Sequence, residues 1–205
     1  MITPLLNGYL MPTDQGNPAF CAVYLIETPA GRVLFDCGHV GRRRALLTAL
    51  SDHGLSPVDI DALVLSHGHW DHLQNADLFR RVLLHPAELR YLQDPAPEDL
   101  GTPPWAAAVL DGLEVGEVDD GYEVLPGVAV IGLPGHTPGS IGLVVDGGTA
   151  VLTGDAVPSA GVLVSGQPLG RSADPARAQE SIRRVVGLAD VVYPGHDRPF
   201  RITQY

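Results

Sequence analysis

The stretch SHGHWDH (residues 66–72) constrains this chain more than any other feature. It gathers three of the eight histidines and one aspartate within seven positions. The apolar run Ala62–Leu65 comes directly before it and predicts a buried strand, so these four side chains lie on the turn that leaves the strand. Imidazole nitrogens and carboxylate oxygens grouped in this way are typical ligands of zinc and other first-row divalent metals.

The same arrangement recurs three times further along the chain. In each case an apolar strand is followed by a glycine-containing turn that carries one more side chain of the metal-binding type. These are His136 after Val128–Leu133, Asp155 after Ala150–Thr153, and His196 after Asp190–Tyr193. Each residue alone could equally be a cap or a turn residue. Because strand ends converge on one edge of a sheet, together they favour one shared metal site. Its predicted ligands are His67, His69, Asp71, His72, His136, Asp155 and His196.

The remaining patterns predict an α/β layered protein, because strands and helices both take up a substantial part of the chain. No long linker or fixed-period repeat interrupts it, so we expect one domain over residues 1–205. A proline-rich loop is predicted at residues 94–104. The other predicted elements are a hairpin of Ala19–Thr28 and Arg32–Cys37, helices over Gly41–His53, from Pro86 and over Asp174–Leu188, and strands Val82–His85 and Ile141–Val145.

The charge of the chain narrows the range of partners. The net charge is −11, which disfavours a broad grip on nucleic acid, and the dense basic clusters (42–44, 80–81, 183–184) fall on predicted helices, where solvated faces are expected. All 13 basic residues are arginines, so Schiff-base chemistry and a P-loop lysine are excluded. Without a signal-peptide pattern or a long apolar run, we expect a cytoplasmic protein that does not enter the membrane. Cys21 and Cys37 are expected to be reduced thiols.

The order H67-G-H69-W-D71-H72, then isolated His136, Asp155 and His196, resembles the metallo-β-lactamase superfamily over nearly the whole chain. Three longer stretches are also similar to sequences of that family: LSPVDIDALVLSHGHWDH, PGHTPGSIGL and TGDA. The resemblance implies a four-layer αββα sandwich. It implies that His67, His69 and His136 hold one metal, that Asp71, His72 and His196 hold a second, and that Asp155 bridges them. Asp36, in the turn FDCG, would support the histidine loop from behind.

What the resemblance implies about activity is a metal-dependent hydrolase with two divalent ions, zinc being favoured over iron or manganese. A metal-bridging hydroxide would attack an ester, thioester or lactone of a small molecule, and Asp71 would orient it and carry a proton to the leaving group. Lactonases of the family usually carry a tyrosine shortly after the bridging aspartate, and residues 156–159 contain none, which counts against lactone specificity.

Two other activities stay open at this stage. The C-terminal sequence is similar to that of a small group of single-domain proteins, which includes animal proteins assigned as histone pre-mRNA nucleases. A metal-dependent nuclease or phosphodiesterase is therefore the first alternative. The second is an oxidoreductase like the persulfide dioxygenases, with a single iron at His67, His136 and Asp155. The candidate substrate-lining residues are Trp70, Asn75 and Trp105, and a homodimer is compatible with the sequence.

Overall fold

The computed structural model describes residues 1–11, 13–14 and 18–204, for Asp146 and Gln204 the backbone only. Residues 12, 15–17 and 205 of the predicted domain lie outside this description. The described strands are β1 (Ile2–Leu6), β2 (Tyr9–Leu10), β3 (Ala19–Phe20), β4 (Val23–Thr28), β5 (Gly31–Phe35), β6 (Ala62–Val64), β7 (Arg81–Leu84), β8 (Glu114–Glu117), β9 (Glu123–Leu125), β10 (Val128–Gly132), β11 (Ile141–Val145), β12 (Ala150–Gly154), β13 (Val191–Pro194) and β14 (Phe200–Arg201). The α-helices are α1 (Arg43–Asp52), α2 (Trp70–Leu73), α3 (Pro86–Gln93), α4 (Ala160–Ser165) and α5 (Pro175–Leu188).

Two six-stranded mixed sheets form the centre of the molecule. The first has the strand order β1-β4-β5-β6-β7-β8, and the second has the order β14-β13-β12-β11-β10-β9. In the first sheet β5 to β8 run parallel, and in the second β12 and β13 run parallel. A separate two-stranded ribbon of β2 and β3 lies near the N-terminus.

Three buried clusters show how the layers stack. Tyr24 and Phe35 of the first sheet pack against Leu143 and Leu152 of the second, so the two sheets face each other. The opposite face of the first sheet is covered by α1 and α3, and that of the second by α5. This is the αββα order of layers that the family resemblance implies, and the fold prediction is confirmed.

Most predicted elements are present with shifted ends. The predicted first strand of the hairpin is divided, because Ala19–Phe20 pairs with β2 while Val23–Thr28 pairs with β5. Arg81 opens a strand, so placing residues 80–81 on a helix is wrong. The edge strands β1, β8, β9 and β14 were not predicted. Among the described residues, no helix combines the length and the apolar character that a membrane crossing requires.

The strands deliver the predicted ligands to one edge. The histidine turn follows β6, His136 follows β10, Asp155 follows β12, and His196 follows β13. The two sheets are tied together there, since the amide of Ile141 donates to the Ser66 carbonyl at 2.9 Å and the Tyr24 hydroxyl donates to the Pro194 carbonyl at 2.8 Å. The edge is therefore a joint between the sheets.

Candidate metal centre

All seven predicted ligand side chains come together at this edge. Six of them are buried and His69 is half-buried. They form two groups, and within each group the donor atoms lie within 4.8 Å of one another. The groups are His67, His69, His136 and Asp155, and Asp71, His72 and His196.

Asp155 lies between the two groups. One of its carboxylate oxygens is 3.5 Å from His136 Nε2, in the first group. The other is 3.1 Å from His196 Nε2 and 3.5 Å from His72 Nε2, in the second. A carboxylate in this position can bridge two ions, which is the role expected for Asp155.

The donor atoms fit metal ions because most lack any other partner. Within the described part of the chain, six buried side-chain nitrogen or oxygen atoms have no hydrogen-bond partner, and five belong to the predicted ligands. These are His67 Nε2, Asp71 Oδ2, His72 Nε2, His136 Nδ1 and Asp155 Oδ1. Unpaired buried polar atoms are costly and rare, so a cluster of them indicates that a cation completes the site.

Asp36 and Ser66 hold two of the histidines from behind. The Asp36 carboxylate lies 2.8 Å from His72 Nδ1 and accepts from the Ser66 amide at 2.7 Å. The Ser66 hydroxyl donates to Asp36 at 2.9 Å, and it lies 2.9 Å from His67 Nδ1. Engaging Nδ1 directs Nε2 of both rings into the site. Asp36 itself has a φ of 59°, a left-handed conformation that an aspartate tolerates at some cost.

The other two contacts behind the ligands come from the 94–104 loop and from strand β3. His69 Nε2 donates to the Asp99 carboxylate at 3.2 Å, which leaves Nδ1 facing His136. His196 Nδ1 donates to the Phe20 carbonyl at 3.2 Å, which leaves Nε2 facing Asp155. In this way four of the five ligand histidines have one nitrogen engaged by an oxygen and the other turned into the site.

The two groups differ in their electrostatics. Burial, reinforced by neighbouring imidazoles, lowers the pKa of His67 well below its usual value and that of His136 to about 3. Burial acts in the same direction on His72 and His196, but the carboxylates of Asp36 and Asp155 outweigh it and raise both pKa values. The pKa of Asp155 is held well below its usual value, against the effect of burial, by the charges of His196 and His72. The lowered pKa values favour the neutral imidazole form of His67 and His136, the form that binds metal.

Comparison with known proteins identifies the family. The model of the metallo-beta-lactamase superfamily matches residues 16–196. The chain belongs to the metallo-beta-lactamase superfamily. Metallo-beta-lactamase domain-containing protein 1 of Xenopus laevis is 35% identical over 98% of this chain, which spans 81% of that protein and 62% of its human namesake.

Two further superfamily members are similar over most of the chain. An N-acyl homoserine lactonase of Bacillus cereus is 26% identical over 74% of this chain and 69% of its own length. The fold also matches a solved N-acyl homoserine lactone hydrolase that has the product N-hexanoyl-L-homoserine bound at its catalytic metal centre. Its TM-score is 0.75, at 21% identity over 96% of this chain and 92% of that one. As a superfamily member with this donor set, the protein is a metallo-hydrolase.

The predicted substrate-lining residues have two different outcomes. Asn75 is fully buried, with its amide donating to the Cys37 and His39 carbonyls at 2.9 Å, so the prediction that it lines a substrate is wrong. Trp70 lies half-buried beside Asp71, with its ring 5.3 Å from that of His39. Trp105 is 47% exposed just beyond the 94–104 loop. For both tryptophans a substrate contact stays a prediction.

Sequence reasoning missed three residues that contact the metal-binding turns. Ser66 begins the SHGHWDH motif, but no role for it was predicted from the sequence. Glu88 is fully buried on α3 and bonds to the backbone of both histidine turns. Asp99 lies in the predicted 94–104 loop and bonds to His69. A glutamate at the same helical face as Leu92 was the available signal for Glu88, whereas Asp99 had only a turn-like Asp-Leu-Gly context.

Proposed function

We propose that this protein is a dinuclear metal hydrolase that cleaves an ester, thioester or lactone of a small molecule. The observation that carries the proposal is the pair of donor groups that meet at Asp155, where His67 Nε2, Asp71 Oδ2 and His72 Nε2 are buried without a hydrogen-bond partner. Histidine nitrogen with carboxylate oxygen is a donor set that suits zinc. Two bound divalent ions would lower the pKa of a water molecule and stabilise the negative charge that develops on a carbonyl oxygen.

Asp71 is the candidate general acid and base. Its Oδ2 lies 3.8 Å from His72 Nε2 and 3.6 Å from His196 Nε2, and it has no hydrogen-bond partner among the described residues. A carboxylate held there can accept a proton from the attacking water and deliver it to the leaving group. Both distances place this oxygen next to the donor atoms of the second group.

A wall of rings beside the donors supports a substrate with an apolar part. The ring of Phe20 stacks on Tyr9 at 4.7 Å and lies 4.8 Å from that of His39, which in turn contacts Trp70. Phe20 is also bound through its carbonyl to His196, so the wall adjoins the metal donors. An acyl chain is one group that such a wall suits, in keeping with the lactonases to which the chain is similar.

The nuclease alternative finds little support in the arginines. Arg42 donates to the Cys21 and Asn7 carbonyls, Arg43 is bonded to Asn75 and Asp77, and Arg184 is paired with Asp120. The bonds that hold these arginines within the protein leave fewer of their N–H donors for a phosphate. With a net charge of −11, this favours a small-molecule substrate.

Elemental analysis of protein purified without added metal tests the dinuclear site. We expect about two zinc or manganese ions per chain. One iron per chain with no second ion would instead support sulfur oxidation and would contradict the proposal.

The reaction is tested with a panel of acyl homoserine lactones, carboxylic esters, thioesters and phosphodiesters. For Asp71→Asn we expect kcat on the preferred substrate to fall by about 10²- to 10⁴-fold, because the proton acceptor is lost. The control is Asp94→Asn, an exposed aspartate, which should match the wild type. Turnover of the phosphodiesters alone would favour the nuclease, and an unaffected Asp71→Asn would remove Asp71 from the mechanism.

A further inference from the structure

Helix α3 carries a buried carboxylate with no part in the proposed chemistry. Glu88 is 0% exposed. One of its oxygens accepts from the Gly68 amide at 2.8 Å. The other accepts from the Thr137 hydroxyl at 2.7 Å and from the Gly139 amide at 2.9 Å. Glu88 therefore links the turn that carries His67 and His69 to the turn that carries His136.

Both turns also pack directly against α3. A Cβ on Gly68 would lie 2.6 Å from Cδ2 of Leu92 and 3.3 Å from a carboxylate oxygen of Glu88. A Cβ on Gly139 would lie 2.3 Å from the Glu88 backbone nitrogen. The Gly139 turn therefore lies directly on the helix backbone, and the Gly68 turn packs on the side chains of Leu92 and Glu88. The three hydrogen bonds then fix where each turn sits along it.

The contacts require a carboxylate and not merely a polar group of the same size. Three donors converge on two oxygens, and both oxygens must accept. Glutamine has one oxygen and an NH2 group, so one N–H would face the N–H of Gly68 or Gly139. A buried carboxylate is costly unless it is fully hydrogen-bonded, and here it is satisfied by the groups that it positions.

We infer that Glu88 is a positioning residue, which sets the distance between the two histidine turns and thereby the geometry of the position formed by His67, His69 and His136. This inference rests on the proposed dinuclear site. Helix α3 supplies no ligand, but through Glu88 it would control the geometry of one metal position. The position of Asp71, His72 and His196 has no contact with Glu88 and should be spared.

The test is metal affinity in Glu88→Gln, measured by competition with a chelator for Zn²⁺ and by the absorption spectrum of the Co²⁺-loaded protein. We expect one of the two ions to bind at least about tenfold more weakly, as for other residues that support ligands, with an altered Co²⁺ spectrum. Thr137→Val, which removes one of the three bonds, should change the affinity in the same direction by less. Glu180→Gln, an exposed glutamate on α5, is the matched control and should bind as the wild type does.

The effect of a general loss of stability is measured separately with Leu50→Ala, which opens a cavity in the core at a buried residue of α1. We expect this variant to unfold at a lower temperature and yet to keep wild-type metal affinity. The inference would be overturned if Glu88→Gln and Thr137→Val bound zinc as tightly as the wild type, or if Leu50→Ala lost as much affinity as they do. The proposed function would still hold in either case, provided that the wild type binds two ions. A wild-type protein that binds no metal would contradict both.

Discussion

At the scale of single residues, the site depends on pairs in which an oxygen orients a histidine. His72 has Asp36, His67 has Ser66, His69 has Asp99, and each pairing leaves the other ring nitrogen facing the site. Changing a partner of this kind typically lowers metal affinity by about 10- to 100-fold. The sequence points to the ligands because of their spacing, but Asp99 is 30 positions from its histidine.

Asp99→Asn tests the pair in which the oxygen comes from the 94–104 loop. The carboxylate also accepts from Tyr91, Thr102 and the Gly101 amide, so it is fixed in place. An amide accepts more weakly from His69, and we expect the first zinc position to lose affinity by about tenfold in a chelator competition. The neighbouring exposed Glu98→Gln serves as the control. Equal affinities in the two variants would show that Asp99 only shapes the loop.

The two groups should release their metals at different pH. Protons compete with metal for imidazole nitrogen, and the raised pKa values of His72 and His196, caused by Asp36 and Asp155, strengthen that competition. The lowered pKa of His136, about 3 because of burial and His69, weakens it. As the pH falls from about 8 to 5, the ion of the second group should leave first. Metal content after dialysis at each pH measures this, and simultaneous loss of both ions would contradict it.

At the scale of elements, helix starts secure the ligand turns. The first residues of α5 and those just before it hold the His136 turn: the Ala173 amide donates to the His136 carbonyl at 3.0 Å, and the Asp174 amide donates to the Gly135 carbonyl at 2.9 Å. The Asp174 carboxylate caps the helix by accepting from the Arg177 amide at 3.0 Å. The capping pattern was visible in the sequence, but its contact with the His136 turn was not.

Asp174→Ala should therefore affect stability more than an ordinary surface change. Removing an N-cap costs about 1 kcal/mol of the free energy of unfolding. Glu180→Ala, within the same helix, should change it by less than about 0.5 kcal/mol. Urea denaturation of the two variants measures the difference, and equal midpoints would mean that the cap contributes nothing.

At the scale of the whole molecule, the site joins two halves of the chain. The histidine turn and Asp36 extend from the first sheet, whereas His136, Asp155 and His196 extend from the second. Metal ions bound across this joint would stabilise the folded state only, since the unfolded chain cannot bring these ligands together.

Removal of metal should consequently lower the unfolding temperature. At a free zinc concentration 100 times Kd, binding stabilises by about 2.7 kcal/mol. For a chain of this size that corresponds to roughly 5–10 °C in Tm. Calorimetry at several zinc concentrations, with and without chelator, gives the shift. A Tm that does not depend on zinc would contradict binding across the joint.

The sequence by itself pointed to the candidate ligands, to most of the hairpin and the main helices, and to the layered fold class, because spacing, apolar runs and capping residues are local signals. Only the tertiary structure decided that Asn75 is buried, that β1, β8, β9 and β14 form sheet edges, and that Glu88 and Asp99 bind the histidine turns. Those features depend on which distant segments meet. A short strand with little periodicity has no local pattern that indicates which strand it pairs with. A carboxylate in a loop likewise has no local pattern that indicates its hydrogen-bond partner.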